Sequence, residues 1–155
     1  MTTGQLVLRP AAEADVGAIV QLLVLGAVPG GPSTTEDPGE LGPYRAALRD
    51  IVEGGGAVLV AERGGQVVGV CQLIVFRHLQ ARAGLCAELE SVHVHPEHRG
   101  GGIGGALVEA AITRARELGC YRMQLTSNVA RPDAHRFYEQ LGFVSSHLGF
   151  KMLLT

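Results

Sequence analysis

Lysine is almost missing from this chain of 155 residues. Lys151 is the only one, and arginine supplies the other 12 of 13 basic residues, against 15 acidic ones. The net charge near −2 gives no case for a nucleic-acid partner. Cysteine is scarce too. Cys71, Cys86 and Cys120 are odd in number and widely spaced, and no pair has metal-ligand or redox spacing. Each lies in or beside an apolar segment, so buried thiols are expected. Long apolar runs are absent as well. Residues 16–35 carry no charge, but glycines and prolines interrupt them, which argues against a membrane span. The N-terminal residues show no basic patch followed by an apolar run, so no signal peptide is expected. A soluble, cytoplasmic protein follows.

The chain does have 46% hydrophobic residues and 22 glycines. That apolar content suits one globular domain over residues 1–155. A first strand is expected at residues 5–9, then a helix over 11–26 with Ala14, Ile19, Leu22, Leu23 and Leu25 along one side. Residues 27–43 read as a long loop, and 44–53 as a second helix closed by Gly54-Gly55-Gly56. Strands at 57–61 and 66–76 flank Gly64-Gly65, a strong hairpin signal. A linker at 77–84 leads to a strand at 85–95. A long helix follows at 103–118, then a strand at 122–126 and a helix at 132–141. One or two final strands are expected over 143–154. The order predicts a mixed α/β sheet with helices on both faces.

The most informative stretch is Val92-His93-Val94-His95-Pro96-Glu97-His98-Arg99-Gly100-Gly101-Gly102-Ile103-Gly104. A strand meets a proline, then a glycine-dense turn, then a helix. Such a turn exposes backbone amides at a helix start and suits a phosphate group. The dinucleotide spacing is met at Gly100, Gly102 and Gly105, but residues 122–126 hold no acidic residue to pair with it. A Walker loop fails because no Gly-Lys-Ser/Thr follows. What remains is a pyrophosphate cradled by amides from Arg99 to Gly104, next to the positive end of a helix.

With its surroundings, this segment resembles the acetyl-coenzyme A loop of the GNAT (GCN5-related) N-acetyltransferases. Ala134-His135-Arg136-Phe137-Tyr138-Glu139-Gln140-Leu141-Gly142-Phe143 is similar to that family's A-x-x-F-Y-x-x-x-G-F signature, and residues 58–69 resemble its second and third strands. Further stretches near Asn128 and Ser146 resemble a subgroup of small bacterial members of unassigned substrate. The resemblance implies a single-domain GNAT-like α/β fold: a mostly antiparallel twisted sheet with one splayed parallel strand pair. It implies acetyl-CoA as cofactor. Backbone atoms of Val92, His93 and Val94 would hold the pantetheine arm. Arg99, Gly100, Gly101, Gly102, Ile103 and Gly104 would hold the pyrophosphate. The family's asparagine before the second signature is replaced by Arg131. Asn128 stands in for it, or Arg131 reaches the phosphates.

Acetyl transfer to an amine needs a base, a polarised thioester carbonyl and a proton for the departing thiolate. Tyr138 resembles the family's tyrosine near the cofactor sulfur, and a phenol can protonate a thiolate. Packing in the core is its alternative. Glu88 and Glu90 lie two apart on a strand and share a face unless a bulge separates them. Glu90 resembles the family's occasional base on this strand; a solvent-facing strand end is the alternative. A backbone N–H near Val92 would polarise the carbonyl. His93 and His95 suit a structural or loop-orienting role better than zinc, and no metal is expected. The acidic residues Glu36, Asp37 and Glu40, with Tyr44, would suit an amine acceptor.

The leading expectation is an enzyme moving acetyl from acetyl-CoA to the primary amine of a small molecule. A protein or peptide N-acetyltransferase and a non-catalytic acyl-CoA-binding module are the rivals. A homodimer is allowed, with no residue that marks its interface.

Overall fold

The computed structural model describes residues 4–27 and 35–155. They form two compact units, one within residues 1–124 and one over 125–155. In the first, strands β1 (Leu6–Pro10), β2 (Ala57–Arg63), β3 (Gln66–Arg77), β4 (Leu85–Val94) and β5 (Arg122–Gln124) lie side by side in sequence order. The first four pair antiparallel and β4–β5 pair parallel. Pro10 extends β1 instead of ending it, pairing with Leu59. It is tolerated there because β1 is an edge strand.

Helices cover both faces. The helices α1 (Val16–Leu25) and α2 (Gly42–Glu53) pack on one, where Val16, Val20, Leu22 and Leu48 meet Val58, Val60 and Val70. The helix α3 (Ile103–Glu117) packs on the other. Its buried residues Ile103, Leu107, Val108, Ala111 and Ala115 recur at helical spacing and make one stripe. Gly69 of β3 lies beneath it: a Cβ there would come within 2.9 Å of Leu107 Cδ1 and 3.1 Å of Ile103 Cγ2. Cys71, two residues on, donates from Sγ to the Leu107 carbonyl at 3.7 Å. Burial pushes its thiol up to about 12. Cys86 is buried as well, and Cys120 is half-buried.

The first helix begins later than its apolar pattern suggests. Residues Glu13–Asp15 form a 3-10 turn instead. Asp15 holds that turn: its carboxylate accepts from the Ala12 amide at 2.6 Å and from both Nη atoms of Arg9, at 2.7 and 2.9 Å. Ala14 and Leu25, expected on the buried side, are exposed. The expected linker carries a turn at Gln80–Ala83 with left-handed backbone at Ala81, Arg82 and Ala83.

The second unit contains α4 (Pro132–Gln140), with Pro132 in its first turn. The strands expected over 143–154 do not form, and β5 stops at Gln124. A strand needs a ladder partner. Leu148, Phe150, Met152 and Leu154 alternate as a strand would, but find no partner strand within this unit and stay exposed.

Candidate active site

The turn after β4 is built by its own side chains. The His95 amide donates to the Val68 carbonyl at 2.8 Å, and His95 Nδ1 accepts from the Glu97 amide at 3.3 Å. This starts a short 3-10 turn, Pro96–His98. Arg99 then turns back and donates from Nε to the Val94 carbonyl at 3.1 Å. That contact ties the loop to the strand it leaves and keeps the Nη donors for another acceptor.

Gly100 and Gly102 adopt φ of 81° and 80°, a region that L residues with side chains seldom enter. Gly102 is the N-cap of α3 and has no side chain to serve the helix amides. The first helical bond runs from Ala106 N to Gly102 O at 3.0 Å. The amides of Ile103, Gly104 and Gly105 therefore have no partner inside the helix. A Cβ on Gly100, Gly102 or Gly105 would meet open space. Free amides, a helix N-terminus and a cleared surface fit a pyrophosphate.

Beside this cradle, β4 runs on past its last pairing with β5. Its ladder with β5 holds three pairs and ends at Glu88 and Gln124, leaving residues 89–94 beyond it. Val92, His93 and Val94 lie in that stretch. On its other edge β4 bulges: Gln72 pairs with Glu90 and Val70 with His93, so Ser91 and Val92 together oppose Cys71. Ser91 takes φ of 51° to make the bulge.

The bulge falls after Glu90, so Glu88 and Glu90 keep a common face, opposite Ile74 and Gln72. It also turns His93 to that face, level with Val70, on the side of α1 and α2. His93 there abuts Gly26 at the end of α1, where a Cβ would collide with its ring. Glu88 accepts from Gln124 Nε2 at 2.9 Å. The roles of Ser91, Gln72 and Gln124 were not read from the sequence. Only the strand register reveals them.

The acidic loop residues are partly engaged. Tyr44 donates its hydroxyl to Glu36 at 2.8 Å and accepts from the Asp37 amide at 2.8 Å. Asp37 also accepts from the Gly39 amide. The Asp37 amide favours a phenolate at Tyr44, but the Glu36 carboxylate, desolvation and nearby charge outweigh it. Tyr44 therefore titrates above the ordinary phenol range.

In the second unit, Tyr138 is half-buried on α4. Its ring meets Phe137 and Phe143 edge to face, with centroids 5.0 and 5.8 Å apart. Asn128 Oδ1 accepts from the Ala130 amide at 2.9 Å, and its carbonyl accepts from the Arg131 amide at 3.0 Å. Arg131 is exposed at the start of α4. Among the described residues, no group of three or more His, Cys, Asp or Glu is placed to hold a metal. No helix among them is long and apolar enough to cross a membrane.

The first unit thus sets a mixed α/β sheet beside a glycine turn whose helix-start amides have no partner inside the helix. The chain matches the Acetyltransferase (GNAT) family over residues 31–143 and belongs to that family. It is similar to the crystal structure of a transcriptional regulator from Bacillus halodurans C-125. The two share 36% identity and a TM-score of 0.87, over 97% of this chain and 100% of that one. A ribosomal-protein-alanine N-acetyltransferase from Brucella melitensis is 30% identical, with a TM-score of 0.74 over 88% of this chain and 83% of that one. The aminoalkylphosphonate N-acetyltransferase of Salmonella typhimurium is 38% identical over 95 residues, 61% of each chain. Three curated relatives, that one included, are matched over only 61%, 28% and 39% of their own lengths.

Proposed function

We propose that the chain, taken over residues 1–155 as one acetyl-CoA-binding domain, moves an acetyl group from acetyl-CoA to the primary amine of a small molecule by direct transfer. The observation that carries this reading is the amide cradle at Gly102–Gly105 beside the stretch of β4 that runs on past β5 and bears Glu90. The Salmonella relative, named for acetylating an aminoalkyl compound, supports a small amine. The Brucella relative, named for a ribosomal-protein alanine, supports a protein acceptor as the second reading.

Coenzyme A supplies an acetyl thioester. The amides of Ile103, Gly104 and Gly105, with the guanidinium of Arg99, would hold its pyrophosphate. Backbone groups of Val92, His93 and Val94 would hold the arm, and the Val92 N–H would polarise the thioester carbonyl. Asn128 and Arg131 are assigned to the cofactor as well. Glu90 takes a proton from the ammonium, directly or through a water, and frees the nitrogen lone pair. Transfer would form a C–N bond as the C–S bond breaks, and Tyr138 would be the group to give its phenolic proton to the thiolate and regain one from the nitrogen.

The test is free-thiol release from acetyl-CoA across small amines and an alanine-terminated peptide, with wild type, Glu90→Gln and Tyr138→Phe compared. Small amines should be turned over. Glu90→Gln should cut kcat/KM by about 10²–10⁴-fold. Preference for the peptide would move the function to the second reading. Coenzyme binding without release to any acceptor would make the chain a binding module.

A further inference from the structure

A gap of about 110 Å³ lies between α1, α2 and the sheet. Its inner wall is apolar. Val16, Val20, Val58 and Val70 line it and are all 8% exposed or less. Its polar lining comes from Gln72 and Ser91 on the sheet and from Tyr44 on α2. Gln72 and Ser91 frame Glu90. Gln72 is its cross-strand partner on the same face, and Ser91 is the bulge residue next to it. The cavity therefore reaches the two residues that neighbour Glu90, one across the strand pair and one along the chain. A cationic amine with an apolar substituent has the complementary pattern.

We infer that this cavity takes the apolar substituent of the acceptor amine, with the ammonium toward Glu90. The inference rests on the acetyltransfer reading above and sharpens its substrate class. A cavity of about 150 Å³ accepts a benzene ring, so this one suits an alkyl group of about four or five carbons. The bulge matters here because it places Ser91 in the lining. The helices matter because Tyr44 of α2, fixed by Glu36 and Asp37, forms part of the wall. An anionic substituent such as a phosphonate finds no cation among these lining residues.

Thiol release with straight-chain primary amines from ethylamine to hexylamine tests this, alongside an aminoalkylphosphonate and a leucine-terminated peptide. The value of kcat/KM should rise about fourfold per methylene and level off near pentylamine. Ala47→Phe narrows the cavity from α2 and should lower the pentylamine-to-ethylamine ratio of kcat/KM about tenfold. Because the readout is a ratio, a partial loss of folded protein does not imitate it. Ile51→Ala should shift the optimum to longer amines. A flat series, or preference for the phosphonate, would overturn the cavity assignment alone; preference for the peptide would overturn it and move the function to the second reading. No release with any amine would overturn the acetyltransfer reading and this assignment with it.

Discussion

Replacing Gly102 by alanine separates the strain of the loop from its use. The residue sits at φ 80°, and an added Cβ would touch nothing within 4 Å. The cost in the free protein is therefore backbone strain alone, about 1–2 kcal/mol. For a chain of this size that lowers Tm by about 2–8 °C. If the loop relaxes to relieve the strain, the amides of Ile103, Gly104 and Gly105 lose their common direction. A hydrogen bond to a charged group is worth about 1.5–3 kcal/mol, so losing one weakens coenzyme binding by about 10- to 150-fold. Gly119 supplies the control. It follows α3, has φ 84°, and a Cβ there also meets open space. Gly119→Ala should lower Tm by a similar amount and leave coenzyme affinity unchanged. The assay is calorimetric titration with coenzyme A, plus thermal melts with and without it. Equal affinity in Gly102→Ala and Gly119→Ala would refute the cradle.

The other predictions concern the scaffold. Asp15→Asn should cost about 2 kcal/mol, less than a fully buried pair because the Arg9 side chain is a third exposed. The Arg9 guanidinium, and then the Ala12 amide against desolvation, hold the Asp15 carboxyl below its ordinary 3.8. Its contribution is therefore present above that pH and lost as pH falls through the depressed value. Urea melts should show the wild-type advantage above about pH 4 and see it shrink below. Gly69→Ala forces Leu107 and Ile103 away from β3 and should cost about 1–3 kcal/mol by the same melts. Arg82→Gly relieves a left-handed residue at φ 59° and should stabilise by about 1 kcal/mol.

Much of the fold was legible because it depends on local chemistry. The hairpin at Gly64-Gly65 is written in two residues that tolerate positive φ, here 59° and 80°. The stripe of α3 is written in its apolar spacing, and the glycine loop in residues that only a demanding backbone uses. What was illegible depends on partners far along the chain. Nothing in Ser91 announces a bulge; the register with β3 creates it, and with it the face on which His93 stands. The Gln124–Glu88 hydrogen bond joins residues on separate strands. The late start of α1 follows from Arg9 reaching Asp15 across the turn. The alternation over 143–154 says which residues would share a face, but not whether an edge exists to pair with them.

Acetyl transfer to an amine leaves two products that can be weighed together. The protein is mixed with acetyl-CoA carrying an isotopically labelled acetyl group and with pentylamine, and both products are weighed by mass spectrometry. Labelled N-pentylacetamide and free coenzyme A thiol should form in equal amounts, with both suppressed in Glu90→Gln. Intact acetyl-CoA after prolonged incubation with this and every other amine, at a protein concentration that binds the coenzyme, would contradict acetyl transfer.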